Sequence, residues 1–440
     1  MPRGGRQRLP DPDPCGLTSG RLDRIDYCLD YCLDYFILGG ECVKLTQFRG
    51  DVRAFLSRHG MAWSLLFCLT ALAINAVLIH TVMPDESLLK NGVRAVVLIV
   101  AAIALVLARR RIPIAVYLMV FLSVILLAVR QNLDQLSFIF VLVLVMALLS
   151  VQAKQLDRLV LISSFVPLAL VFIFLTLGIT ENSVIEFRNR MTFGTNGVPF
   201  FYNLVYGAFS ICVFYLFKYK VSHRRLTLLL CIAATTVLYV LSDARGGYLS
   251  FLAFVVLLYL VPKLSRFGVF RITTALLPLI FLLLAFYIAT LGENLRANVL
   301  LSYRPNLFQR YFAEVDIFDV LFSTSVKQFP LAVDNSYIHL LFGGGIVLCC
   351  AFFILFARAI RSLFQQGRFP EIAFLIATCV YFNSESLLLR IENIFVIYFW
   401  YLVLRHSLSS VRRGMSRVAY SGIPTIAPKP ESTGRPLTES

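Results

Sequence analysis

From residue 62 onward the chain is a succession of apolar runs, each about as long as a bilayer crossing. LLFCLTALAINAVLIHTVM (65–83) and GGGIVLCCAFFILF (343–356) are typical. A spanning helix needs roughly 17–25 predominantly apolar residues, and in hydrocarbon each backbone N–H and C=O must be satisfied internally. Runs of this length predict helices, about twelve of them, at 62–83, 93–108, 112–129, 136–152, 159–179, 198–217, 226–242, 248–262, 272–291, 336–357, 371–386 and 391–405. The expected fold class is all-α, a polytopic membrane helical bundle. Composition excludes an ordinary soluble domain: 58% of the residues are hydrophobic and 15% charged, against about 25% charged in soluble domains.

The formal charge of +16 is spread over short basic clusters between apolar runs, such as RRR at 109–111 and KYKVSHRR at 218–225. That is the pattern of cytoplasmic loops under the positive-inside rule, and it speaks against nucleic acid as a partner. With twelve spans, the basic flank before residue 60, the loops at 154–158, 218–225, 263–271 and 358–368, and the flank after 405 fall on one side, so both termini are expected in the cytoplasm. The loop at 109–111 is the awkward one, because the short runs around it fix the early span count to within one or two only. The domain expectation is a cytoplasmic extension at 1–60 carrying the repeat DYCLDYCLDYF, a transmembrane domain at 61–406, and a disordered cytoplasmic tail at 407–440. The ten cysteines imply no extracytoplasmic disulfide, and Cys28 and Cys32 lack the partner pair that a zinc site needs. No metal is expected.

The loops left on the outer face, chiefly 180–197 and 292–335, carry arginines that orientation does not call for: Arg188, Arg190, Arg245, Arg296, Arg304, Arg310 and Arg390. An outer arginine binds an anion or pairs with a carboxylate, and near hydrocarbon either role has to offset its cost. The stretch VLSDARGGYLSF (240–251) sets Asp243, Arg245 and two glycines between spans. In LLSYRPNLFQRYFAEVDIFDVLF (300–322), Pro305 suits a first helical turn. Leu307, Phe308, Tyr311, Phe312 and Val315 then recur at helical spacing, predicting an amphipathic helix in the outer (periplasmic) interface with Arg304 at its N-terminus. In LAVDNSYIHLLFGGGIVLCC (331–350), Asp334 and Asn335 are placed as N-caps, Tyr337 and His339 enter the membrane, and Gly343 to Gly345 permit close packing or bending. The last outer loop adds Asn383, Ser384, Glu385, Arg390 and Glu392. No Asp-x-Asp pair for a nucleotide-bound metal, phosphate-binding loop or dinucleotide fingerprint is present.

The order of these motifs resembles the O-antigen polymerase and ligase superfamily, specifically the Wzy-type polysaccharide polymerases. It runs Asp-Ala-Arg-Gly-Gly, two spans, Tyr-Arg-Pro before an aromatic helix, then Asp-Asn-Ser-Tyr-Ile-His-Leu-Leu-x-x-Gly-Gly, with FGTNGVPFFYN (193–203) ahead of a span. The likeness covers about 190–400; earlier residues match in hydropathy alone, and Leu307 and Phe308 stand where relatives often have tryptophan. The resemblance implies transfer of a growing glycan from undecaprenyl pyrophosphate to a lipid-linked oligosaccharide repeat unit. The setting is the outer face of the bacterial inner membrane, in O-antigen, capsule or exopolysaccharide biosynthesis. It implies no cofactor, and a chain-length regulator protein as a partner. Asp334, Arg245 and Arg304 are then the expected catalytic residues, Gly246 and Gly247 letting backbone approach the pyrophosphate. Arg188, Arg190, Arg310, Asn196, Asn335, Tyr337, His339 and Arg390 are the expected substrate-binding residues. Asp243, Glu385 and Glu392 are further candidates for the proton acceptor, with Asp334 preferred by motif position. Two other functions compete. The ligases of the superfamily have His-Asn where this chain has Asp334-Asn335, and a twelve-span secondary transporter would show two similar halves with polar groups at mid-membrane.

Overall fold

The computed structural model describes residues 42–81, 88–107, 114–185, 190–325 and 334–420. Two units divide the chain, 1–59 and 60–440. Of the first, residues 42–59 are described, as the start of helix α1 (Cys42–Thr81); the DYCLDYCLDYF repeat lies outside the described residues. The second unit continues with α2 (Leu88–Leu107), α3 (Ile114–Arg130), α4 (Asp134–Leu148) and α5 (Ala153–Thr176), then a hairpin of β1 (Val184–Ile185) and β2 (Arg190–Met191). After it come α6 (Val198–Lys218), α7 (Arg224–Ser242), α8 (Arg245–Leu264), α9 (Gly268–Ala275) and α10 (Leu277–Ala289). Three short helices follow, α11 (Leu295–Leu300), α12 (Arg304–Glu314) and α13 (Ile317–Phe322), and then α14 (Ser336–Gln366), α15 (Phe369–Phe382) and α16 (Ile394–Tyr420).

The molecule is a predominantly α-helical bundle. Among the described residues seven helices are long and apolar enough to cross a membrane, or eight if α9 and α10, bent by 65°, form one span. Four shorter apolar helices, Val116–Arg130, Asp134–Leu148, Phe369–Phe382 and Ile394–Leu408, complete the set. The bend divides the run expected as one span at 272–291. Pro278, at the start of α10, has no N–H to give to the turn before it, and its ring would clash with the carbonyl four residues back. The tail also departs from expectation, since α16 continues helical to Tyr420.

The helices sort by burial. Those apolar all round belong in the middle, and α15 and the apolar part of α16 are almost entirely buried. Trp400 of α16 meets Phe352 of α14 at 5.1 Å and Phe138 of α4 edge-on at 5.6 Å, and its Nε1 donates to the Leu388 carbonyl (2.9 Å), tying the core to the loop before α16. Helices α2 and α7 keep broad apolar faces exposed, including Ile99, Ile103, Leu229 and Val237.

α14 is broken at Gly345, whose φ of 73° lies in the left-handed region. A Cβ there would also come within 3.0 Å of the Leu321 carbonyl oxygen. The break frees carbonyls in an apolar setting, and neighbours satisfy them. Gly343 O accepts from Asn132 Nδ2 (3.0 Å) and Gln135 Nε2 (2.6 Å), and Phe342 O from Thr324 N (2.8 Å).

Contacts between connecting segments define the two ends of the bundle. At one end, here called the mouth, Asn196 N donates to His80 O, Arg94 pairs with Glu392, Arg130 with Asp319, and Arg190 with Asp243. At the opposite end a buried ionic network joins α5, α6, α15 and α16. Lys218 Nζ lies 2.6 Å from Asp157 and 3.3 Å from Glu371, and Asp157 accepts from the hydroxyls of Tyr219 and Tyr398, both at 2.7 Å.

Candidate functional site

Asn335 caps α14. Its Oδ1 accepts from Tyr337 N (2.9 Å) and Ile338 N (3.0 Å), which fixes where the helix starts. Its Nδ2 reaches the carbonyl and side-chain oxygen of Asn383, both at 3.1 Å. Ser336 Oγ donates to Glu385 O (2.6 Å) and accepts from Leu387 N (2.8 Å) and Leu388 N (3.1 Å). Arg304, the first residue of α12, donates from Nη2 to Ser384 O (2.9 Å), and Arg390 donates from Nε to Ser386 O (3.0 Å). Four consecutive carbonyls, 383 to 386, are thus fastened by side chains from three segments.

This fastening brings Asp334, Glu385, Arg304 and Arg390 into one group. Among the described residues neither carboxylate takes part in a hydrogen bond or an ion pair, and each arginine commits one N–H to a carbonyl. Burial pushes the Asp334 carboxyl above its usual value, against the opposing pull of Arg304 and Arg390. Burial and then the nearby Asp334 charge push Glu385 up to about 7, again against the two arginines.

A second group adjoins the first. Asp243, in the left-handed region at φ 49°, ends α7 and accepts from Arg245 Nε (3.0 Å) and from Arg190 Nη2 (3.0 Å) on β2. Partial burial works upward on Asp243, but the hydrogen bonds and charges of Arg245 and Arg190 prevail and hold its carboxyl below the usual range. Arg245 is 62% exposed at the start of α8. The two glycines after it do not have the role expected of them. A Cβ on Gly246 would sit 2.7 Å from Ser384 Oγ, and one on Gly247 would sit 2.4 Å from the Tyr202 ring. They let protein, not ligand, approach the backbone, and the Gly246 contact joins the Arg245 group to the Arg304 group through Ser384.

Other expected residues lie elsewhere or act differently. Tyr337 is fully buried and donates to Cys379 O (2.9 Å), so it packs the core and has no surface to offer a substrate. His339 turns aside from the two carboxylates: its Nδ1 bonds Ser386 Oγ and its Nε2 lies 3.6 Å from Asp134. Asn196 joins the start of α6 to the end of α1 through His80 O (2.7 Å) and Ile79 O (3.4 Å). Arg310 is exposed on α12. Glu392 is taken by Arg94. Arg188 lies outside the described residues. The amphipathic helix expected after Pro305 is α12, but its apolar face is covered by protein, with Phe312 stacked on Phe286 of α10 at 4.4 Å and edge-on to Phe342 of α14 at 5.6 Å. Sequence reasoning counted Glu385 as one candidate among several, named Ser384 without a role and gave none to Ser336. Only the spacing of Asn335-Ser336 and Asn383-Ser384, polar pairs at the ends of apolar runs, hinted at them.

Among the described residues no group of three or more His, Cys, Asp and Glu side chains could hold a metal ion. What the mouth offers is arginine N–H groups to a phosphate or other anion, beside carboxylates able to accept a proton. No family model matches this chain, and no curated protein or solved structure is significantly similar to it.

Proposed function

We propose that this protein is a polysaccharide polymerase. It moves a growing glycan from undecaprenyl pyrophosphate onto the terminal hydroxyl of a lipid-linked repeat unit at the outer face of a bacterial inner membrane. In this reading the bent α9–α10 pair and the four shorter apolar helices also cross the bilayer, giving twelve spans. A fourteen- or fifteen-residue helix is about 21 Å long, so such helices cross as members of a bundle whose ends lie in the interfaces. The end with Lys218 and the basic loops faces the cytoplasm, as do both termini.

The observation that carries the reading is the convergence at the mouth of residues from four distant segments: 243–245, 304, 334–335 and 383–390. Pyrophosphate is a good leaving group whose developing charge needs fixed cations, and a guanidinium keeps its charge and matches phosphate in a planar fork. Arg304 and Arg390, joined by Arg245, are suited to hold it. The acceptor hydroxyl then lies against Asp334 and Glu385. A chain-length regulator would act as a protein partner of this machinery.

The test uses the purified full-length protein in liposomes with undecaprenyl-pyrophosphate-linked repeat units extracted from cells lacking a polymerase. The expected result is a ladder of lipid-linked polymers, formed also in EDTA. Transfer to lipid A core in place of a ladder would make the protein a ligase. Neither product would end the proposal.

A further inference from the structure

Two carboxylates, Asp334 and Glu385, stand together with Arg304 and Arg390 at the mouth, and their attachments differ. Asp334 sits immediately before the cap of α14, at the edge of a helix whose start is fixed. Glu385 sits at the centre of the fastened segment. Its own carbonyl is held by Ser336 (2.6 Å), the carbonyl before it by Arg304 (2.9 Å), and the carbonyl after it by Arg390 (3.0 Å). The backbone on both sides of Glu385 is therefore fixed by the two arginines suited to hold the pyrophosphate. Among the described residues the charged and titratable groups facing it are Asp334, ahead of α14, Arg304 on α12, Arg390 on its own loop and Tyr381 at the end of α15. Arg245 and Asp243 lie beyond Ser384, at the start of α8.

Resting on the polymerase reading, we infer that Glu385 is the catalytic base that takes the proton of the acceptor hydroxyl, and that Asp334 is the anion facing it. In the step, the acceptor oxygen forms its bond to the anomeric carbon of the growing glycan as its proton passes to a Glu385 carboxylate oxygen. The bond between that carbon and the pyrophosphate oxygen breaks, and undecaprenyl pyrophosphate leaves with the electron pair, its charge held by the arginines. Glu385 then gives the proton to water outside the membrane. A base works best when its affinity for protons is near the working pH. Burial and the Asp334 charge, which push Glu385 up to about 7, bring it there.

The acid limb of the pH profile separates the two carboxylates. A base must be ionised, so elongation should fall as pH drops below about 7 in the wild-type protein. Asp334→Asn removes the negative neighbour, which lowers the affinity of Glu385 for its proton. Initial rates are measured in the same liposomes between about pH 5 and 9. Glu385→Gln should lose roughly a hundredfold to ten-thousandfold in rate, with the wild-type KM for the lipid-linked donor and the wild-type melting temperature. Glu385→Asp should retain part of the rate, which rules out a simple folding failure. Asp334→Asn should be slower but measurable, with its acid limb displaced to lower pH. Near-wild-type elongation by Glu385→Gln, or loss of elongation at every pH in Asp334→Asn alone, overturns the assignment. A wild-type protein that makes no polymer removes the polymerase reading instead, so the two failures are distinct.

Discussion

At the end of the bundle with the basic loops, two carboxylates and a lysine are buried together. Asp157 takes Lys218 and two tyrosine hydroxyls, and Glu371 shares the same lysine. At the mouth, two carboxylates and two arginines are also brought together, yet the arginines bond to backbone carbonyls and the carboxylates bond to nothing among the described residues. Both regions carry costly charge in an apolar protein. In the first the charges satisfy one another, which makes the network a closed structural joint. In the second the charges lie near one another without bonding to one another, which leaves them available to a substrate.

If that contrast holds, substitutions at the two ends should differ in kind. The largest effect is expected at Lys218. Lys218→Met strands Asp157 and Glu371 without their shared cation, and breaking a buried ion pair costs about 3–5 kcal/mol. The readout is the yield and melting temperature of the detergent-extracted protein, and the triple change with Asp157→Asn and Glu371→Gln should restore part of the loss. A Lys218→Met protein of unchanged stability but lost elongation would reverse the assignment of the two ends. Next in size is Arg304→Ala, expected to slow elongation roughly a hundredfold to a thousandfold while the melting temperature changes little.

A smaller loss is expected at Arg245, which is mostly exposed and already bonded to Asp243 through Nε. If its remaining N–H groups fork onto phosphate, Arg245→Lys should slow elongation by about tenfold to a hundredfold, nearly as much as Arg245→Ala, because lysine has no fork. A lysine variant with wild-type chain length would make Arg245 only the counter-ion of Asp243. The smallest effect is assigned to Asn196, whose bonds join α6 to α1. Asn196→Ala should cost about 1 kcal/mol of stability and leave the elongation rate per folded molecule unchanged.

Much of the architecture was legible because hydrophobic run length is a local property. The cap at Asn335, the start of α12 at Arg304 and the permissive glycine stretch in α14 were also readable, each resting on residue types within a few positions. What could not be read depends on distant partners. Asp157 looked like one more charge in a cytoplasmic loop, since its partners lie 61, 62 and 241 residues further along, at Lys218, Tyr219 and Tyr398. Gly246 and Gly247 looked like a ligand cradle because no local pattern announces that Ser384 and Tyr202 fill the space. Tyr337 and His339 were expected to bind substrate as members of the motif that carries Asp334, but a helix turns its side chains through 100° per residue, so neighbours in sequence face different surroundings. Pro278 did carry the signal for the bend between α9 and α10, and the apolar run around it masked that signal.

The way residues 383 to 386 are held has an evolutionary consequence. Every bond that fixes the path of this loop through its carbonyls ends on main-chain oxygen, which any amino acid supplies. The side-chain bonds of Asn383 to Asn335, Ser384 to the Tyr381 carbonyl and Ser386 to His339 come in addition to that path. A lineage of such proteins that lost those side-chain bonds would still keep the path of the loop, with Ser336, Arg304 and Arg390 holding the backbone around Glu385 in the same grip.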